Sequence, residues 1–482
     1  MSEEKSTYKR ILLATSIFGS MQFVNLFFSF VKHKLLSIFI GAEGYGIFGM
    51  LNSIVDLIKS ISGLSIDNSA VKAIASEENS DFNAQVVLKL SLLTGLLGCL
   101  VTVLISPIIS KYLYFTYDYW YLIVFLGLAV FFKQIASAFN AILQGKSFFK
   151  KLAKSNLIAN GLGLVFTIPF FYFFKKDFII PAIIITALVN MVVCWFFVKK
   201  IQVLNTFLSF KEAISKGKEI IYFGSLLMMM SFLPLLVNYT LQILINKQDG
   251  IENVGLFNVA NIILNTYVGF LFNAMSLEYY PRLVSLEKDN SKVAITVKQQ
   301  AIVTTLLIVP VVIFFIGFGE FIIQFLFSKE FLEVNQLLQW AVIGMFFKAI
   351  SFSIGYLFIA KADSKVFMKT SLGFNILYFL MLYFGYQIGH FKGMGIAIAI
   401  YFFLHLTGVF LIAKKRYQMV FFEKKDIVLF VSQFLTLLVA LFIMRLSPQI
   451  HLYLIAILLV LSIGYTFYEI NKLVVLKDLF KK

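Results

Sequence analysis

The chain is poor in charge, histidine and cysteine, and each shortage excludes something. Only 14% of its 482 residues are charged and 60% are hydrophobic, whereas a soluble domain carries roughly 25% charged and about 45–50% apolar residues. With a mean hydropathy of +0.88, it is a chain for lipid surroundings. Four histidines without an HxxxH-type pair, and no GxSxG, Walker or DxD-like element, leave no catalytic constellation. The longest segments between apolar runs, near 199–218 and 280–298, are about twenty residues each, too short to hold an enzyme's active site at the membrane face. The two cysteines lie in "LLGCLVT" and "VVCWFF", where a buried inert thiol is expected and no spacing supports a disulfide or metal pair.

What is abundant is long apolar sequence. A spanning helix needs about 20 apolar residues, and lipid offers backbone groups no partner, so each span should be helical. Fourteen spans are expected, at roughly 11–40, 44–70, 84–109, 119–142, 154–174, 178–198, 219–245, 253–279, 299–319, 333–360, 367–388, 393–413, 426–445 and 451–470. The first apolar run is too long for a cleavable signal and should itself target the chain. The net charge of +17 follows topology. With a cytoplasmic N-terminus, inside segments hold 29 Lys and Arg and outside loops hold 7, an asymmetry that places both termini in the cytoplasm. The basic balance therefore does not point to nucleic acid.

An internal repeat sets the expected architecture. "GYGIFGMLNSI" (44–54) aligns with "NVGLFNVANII" (253–263), pairing Gly46 with Gly255 and Asn52 with Asn261. At a second offset Lys146, Lys150, Lys154 and Asn160 fall on Lys361, Lys365, Lys369 and Asn375. Both registers map a span onto the sixth one after it, so the halves are parallel repeats. The expected fold is an all-α polytopic membrane protein: two six-helix bundles around a central cavity, plus two C-terminal helices. Domains are expected at 1–200, an amphipathic cytoplasmic linker at 201–218, a second bundle at 219–416, and two further helices with a cytoplasmic tail at 417–482.

Ionisable groups within spans are costly, about 2.5–3.5 kcal/mol at a helix centre on insertion scales. "FSFVKHKLLSIFIGAEGYGIFG" (28–49) contains Lys32, His33 and Lys34. Residues two apart differ by about 200° in direction, so Lys32 and Lys34 cannot share a face of a regular helix; snorkelling competes with a cavity role for each. Asp56 and Lys59, three apart, are spaced to form an ion pair or to serve as a site for a coupling ion. Lys133 belongs to a polar stripe with Gln134, Ser137 and Asn140, and Lys348 to another with Gln339; such stripes line a wet path or pack helices together. Asn238 and Gln242, and Asn258, Asn261 and Asn265, lie on one face of their helices. Those faces suit either sugar hydroxyls or interhelical hydrogen bonds.

"VGLFNVANIILNTYVGFLFNAMSLEYYPRL" (254–283), "LLQWAVIGMFFKAISFSIGYLFIAKADSKVF" (337–367) and "KLLSIFIGAEGYG" (34–46) resemble bacterial O-antigen translocases. These form part of the polysaccharide-exporter branch of the multidrug/oligosaccharidyl-lipid/polysaccharide superfamily. The resemblance covers roughly residues 10–415, its more specific marks being Tyr279, Tyr280, Pro281, Arg282 and Leu283. It implies a flippase, not an enzyme, that moves an undecaprenyl-pyrophosphate-linked oligosaccharide from the cytoplasmic to the periplasmic leaflet of the inner membrane by alternating access. It further implies a cationic cavity offering Lys34, Lys32, Lys133 and Lys348 to the pyrophosphate, no cofactor beyond coupling to H⁺ or Na⁺, and working partners in a polysaccharide polymerase and a chain-length regulator. Lys34 matches the helix-one lysine of such proteins, and Lys32 falls where the related lipid II flippases carry an arginine. Asn52 stands where relatives often have an arginine, a departure that weakens the carry-over of a cation cluster. A cation-coupled multidrug antiporter of the related type is the alternative, though in-span lysines outnumber carboxylates here.

Overall fold

The computed structural model describes residues 2–75, 80–201 and 208–473. Residues 202–207 of the expected linker and the expected tail beyond residue 473 lie outside the described residues. The elements are α1 (Ser2–Gly63), α2 (Ile66–Ala75), α3 (Ser80–Tyr114), α4 (Trp120–Val124), α5 (Leu126–Gly145), α6 (Phe149–Phe174), α7 (Ile179–Lys199), α8 (Phe210–Lys216), α9 (Lys218–Asp249), α10 (Ile251–Ile262), α11 (Phe270–Ser285), α12 (Asn290–Leu326), α13 (Val334–Ala360), α14 (Ser364–Tyr417), α15 (Lys424–Ile443) and α16 (Pro448–Leu473). Among the described residues there is no strand. Helices apolar on every side satisfy their own backbone groups, which is what lipid demands.

By length and composition, ten helices among the described residues can cross a membrane, or eleven counting the bent pair Ile251–Val268 and Phe270–Ser285, which meets at 44°. Three are too long for one crossing. The 54 residues of α14 would extend about 80 Å at 1.5 Å each, against a hydrocarbon core of about 30 Å. The same holds for α1, with 62 residues, and for the 51-residue run Phe149–Lys199. Each is broken where the sequence marks a boundary: at Gly41 in α1, at the 3₁₀ turn Lys175–Phe178 between α6 and α7, and at Gly389 and His390 in α14. At Gly41, φ is 63° and ψ −172°, backbone that only glycine adopts without strain.

The chain divides into two compact units, Phe27–Asn258, and Met1–Leu26 with Val259–Lys482. The division falls inside α10. The reason is local: α9 and the start of α10 pack on α1, so the seventh expected span belongs with the first unit. Gly46 of α1 and Gly255 of α10, equivalent in the repeat, meet at the helix crossing. A Cβ on Gly46 would lie 2.0 Å from the Ile251 carbonyl oxygen, and one on Gly255 2.2 Å from that of Ala42. The core of this unit is built from Ile66, Val87, Leu90, Ile142, Cys194 and Val198 of α2, α3, α5 and α7. In the other unit Tyr279, Val297, Ile354, Leu357 and Val409 join α11 to α14, with Phe421 closing over them.

Candidate functional site

Asp56, Lys59 and Lys133 of the Phe27–Asn258 unit gather with Asp67 into one cluster. Lys133 of α5 reaches Asp56 of α1, Nζ to Oδ1 2.9 Å, and Lys59 pairs with Asp67 of α2 at 3.2 Å. Asp56 and Lys59 therefore do not pair with each other as their spacing allows; each has a partner on another helix. Asp56, Lys59 and Asp67 border a cavity of about 240 Å³ that also takes in Ser60, Ser65 and Ser231. The Ser231 hydroxyl lies 3.1 Å from that of Ser65 and 3.4 Å from that of Ser60.

Lys32 is the surplus cation. Its ammonium stands 5.4 Å from the centre of the Phe48 ring, and the charges of Lys133 and Asp56 act on it. Three lysines against two carboxylates leave one net positive charge. The helix-one match favours Lys34; Lys32 lies within electrostatic reach of Asp56 and Lys133. Lys34 is turned about 200° away along the helix, its carbonyl accepting from the Ser37 hydroxyl at 2.8 Å. His33 is hydrogen-bonded to the Tyr45 hydroxyl.

The amide faces separate into packing and exposed groups. Gln242 is fully buried; its Nε2 donates to Ser53 Oγ and to Asn258 Oδ1, both at 2.9 Å. Asn238 donates to the same Ser53 hydroxyl at 3.5 Å. Gln242 and Asn258 thus make interhelical hydrogen bonds that join α1, α9 and α10. Asn265 is exposed and donates to the Asn261 carbonyl at 3.0 Å within its own helix. Lys348 lies in the other unit, on α13, between the rings of Phe272 and Phe402 at 5.3 and 5.4 Å.

A profile of the family described as "Polysaccharide biosynthesis protein" matches residues 35–336. The chain belongs to that family. A comparison with curated protein sequences finds no match. Among solved structures, a lipid II flippase, MurJ, in an inward closed conformation is similar with a TM-score of 0.72 at 14% identity, over 95% of this chain and 98% of that one. An inward-facing multidrug resistance transporter of the MATE family gives 0.63 at 14% identity, over 82% and 98%. A Vibrio cholerae MATE transporter, VcmN, gives 0.62 at 15%, over 87% and 98%. The fold is therefore the one shared by these flippases and transporters, none of them an enzyme.

Within this family member, the marked Tyr-Tyr-x-Arg-Leu end of α11 is structural. Tyr279 is fully buried and its hydroxyl donates to the Ser353 carbonyl at 2.5 Å, while Arg282 pairs with Glu278 at 3.2 Å. Two residues that the sequence reading did not single out matter. Asp67 neutralises Lys59, and His405 shares a cavity with Lys348. Asp67 sits just beyond the last turn of α1, where a carboxylate near an in-span lysine is a readable signal. For His405 the signal is Tyr401 at i−4, whose ring centre is 5.8 Å away.

Proposed function

We propose that the chain flips an undecaprenyl-diphosphate-linked oligosaccharide, an O-antigen or similar surface-polysaccharide unit, from the cytoplasmic to the periplasmic leaflet of a bacterial inner membrane. The observation that carries this reading is the excess of one lysine in the cluster formed by Lys32, Lys133, Asp56, Lys59 and Asp67. An anionic headgroup cannot enter an apolar bundle bare, and ammonium groups already desolvated there offset that cost. Before the substrate arrives, Asp56 keeps Lys133 neutralised. When the diphosphate takes Lys32 and Lys133, Asp56 loses its partner and becomes the natural acceptor for a coupling H⁺ or Na⁺. Ion uptake and headgroup binding are then linked at one carboxylate. The polyprenyl tail stays in lipid, and no covalent step is needed.

Of the amides, Asn261 and Asn265 remain as candidates to meet the sugars. Both termini lie in the cytoplasm on this reading, and a polymerase and chain-length regulator receive the flipped product. A multidrug antiporter needs carboxylates open to a cationic drug, whereas Asp56 and Asp67 are each held by a lysine. The test is transport by the purified chain in proteoliposomes, with a membrane-impermeant reagent reporting which leaflet holds the lipid-linked glycan. Lys32→Ala should slow flipping about tenfold or more, the worth of one charge-assisted contact, and Lys34→Ala should slow it much less. Failure to move any polyprenyl-diphosphate glycan, with export of cationic dyes, would overturn the proposal.

A further inference from the structure

At one end of the Phe27–Asn258 unit, α2, α3, α8 and the start of α9 border a cavity of about 650 Å³. It shares no lining residue with the cavity beside Asp56. Lys72, Lys216 and Lys218 line it with the carboxylate of Glu219, three cations against one anion, so its described lining carries two net positive charges. The rings of Tyr222 and Phe223 form an apolar side, and both are exposed. Lys72 reaches across to that side, its ammonium 5.3 Å from the centre of the Phe223 ring.

The frame around these groups is fixed by close packing. Ser209 and Glu212 cap each other at the start of α8, and Ala213 is fully buried. Gly217 joins α8 to α9, so near α3 that a Cβ there would lie 2.6 Å from Leu90 Cδ1. A Cβ on Gly224 would lie 2.5 Å from the Leu64 carbonyl oxygen, which seats α9 against the end of α1. The Asn83 amide of α3 donates to the Ala73 carbonyl of α2 at 2.7 Å. Lys216 and Lys218, on either side of Gly217, are therefore presented from a rigid corner.

Depth in the membrane identifies the occupant. The candidate span Lys218–Asp249 has 32 residues, about 48 Å of helix against a hydrocarbon core of about 30 Å. Shared between its ends, the surplus of about 18 Å leaves about six residues of each end in the headgroup layer. At the start of α9 those residues are Lys218 to Phe223. On α8, Phe210 and Ile214 make an exposed apolar edge beside the exposed Lys211 and Lys216, the pattern of a helix lying in the membrane interface. A free phosphate would use the lysines and leave the rings idle, whereas a phospholipid uses both.

We propose that this cavity is a binding site for an anionic phospholipid, its phosphate on Lys72, Lys216 and Lys218 and its acyl-glycerol part against Tyr222 and Phe223. The positive lining selects an anionic over a zwitterionic headgroup. The site is separate from the Asp56 cluster and does not depend on what the chain transports.

The experiment is native mass spectrometry of the delipidated full chain in neutral detergent, titrated with phosphatidylglycerol or phosphatidylethanolamine, each with and without inorganic phosphate in excess. One tightly held phosphatidylglycerol is expected, with phosphatidylethanolamine weaker and phosphate unable to displace the lipid. A lysine beside an anionic headgroup is worth about fivefold in affinity, so Lys72→Gln with Lys216→Gln and Lys218→Gln should weaken the tight lipid about tenfold or more. Removing the same charge from α6, by Lys150→Gln with Lys151→Gln and Lys154→Gln, should leave its affinity unchanged. If the first triple variant does not fold, as judged by its thermal midpoint, Lys218→Glu at its exposed position takes its place and should weaken the lipid as well. Equal retention of phosphatidylethanolamine, displacement by phosphate, an equal loss in the α6 variant, or unchanged binding in the site variants would each overturn the proposal.

Discussion

Replacing Gly46 by alanine tests the crossing that ties the two repeats together. The new methyl would sit 2.0 Å from the Ile251 carbonyl oxygen, where ordinary contact begins at 3.4 Å. Backbone cannot swing aside like a flexible side chain, so α1 and α10 must separate by more than 1 Å. Overpacking of this kind costs about 1–3 kcal/mol. Separation also stretches the hydrogen bonds from Gln242 to Ser53 and Asn258, worth about 0.6 kcal/mol each between membrane helices. The expected loss is about 2–4 kcal/mol, read as the unfolding free energy in mixed micelles. Gly255→Ala meets the Ala42 carbonyl in the same crossing, and one separation relieves both clashes. The double variant should therefore be more stable than the sum of the two changes implies, by about 1–2 kcal/mol. A Gly46→Ala protein within about 0.5 kcal/mol of the parent, or a strictly additive double variant, would refute the reasoning.

Gln242→Leu should lower the thermal midpoint while leaving the preference among glycan substrates unchanged; an altered preference would show that Gln242 meets sugar after all. Gly41→Ala should destabilise the chain by about 1–3 kcal/mol, the cost of a Cβ in backbone essentially reserved for glycine, seen in the same micelle unfolding; a neutral result would count against the break at Gly41. The hydrogen bond from Lys298, 2.9 Å away, and then that from Lys425, hold the Glu423 carboxyl below the usual glutamate range. A depressed folded-state value means that the link is present above the ordinary value of about 4.3 and is lost as pH falls through the lower one. Carboxyl ¹³C NMR of Glu423 should thus titrate below a free glutamate, and titration at or above it would contradict the contact. Swapping charges, Asp56→Lys with Lys133→Asp, should restore folded protein lost in either single change; no restoration would mean that the pair is incidental.

Much of the fold was legible because its punctuation is local. Gly41 and the Gly389–His390 break mark boundaries that apolar run lengths already implied, and Gly46 and Gly255 share a sequence context because they share a structural task. Pairing was less legible. Asp56 has Lys59 one turn away, yet its partner is Lys133, 77 residues on, since helix-face arithmetic says which residues could meet and tertiary packing decides which do. The amides were ambiguous in the sequence for a related reason. One face of polar residues looks the same whether it meets sugar or a neighbouring helix, and only the burial of Gln242 beside Ser53 and Asn258 distinguishes them. His405 was missed because its one local signal, Tyr401 at i−4, is an aromatic neighbour of a kind common throughout this apolar sequence.

The division of the chain inside α10 also orders its biogenesis. The unit Phe27–Asn258 is contiguous and can close as soon as Asn258 has left the ribosome and inserted. The other unit cannot, because the first 26 residues are assigned to it along with Val259–Lys482. At about 5–20 residues per second, those leading residues wait on the order of 10–50 s for their first partners to be made. The opening half of the first helix must spend that time in the bilayer uncommitted, so it is the segment on which an insertase or chaperone would have most to act.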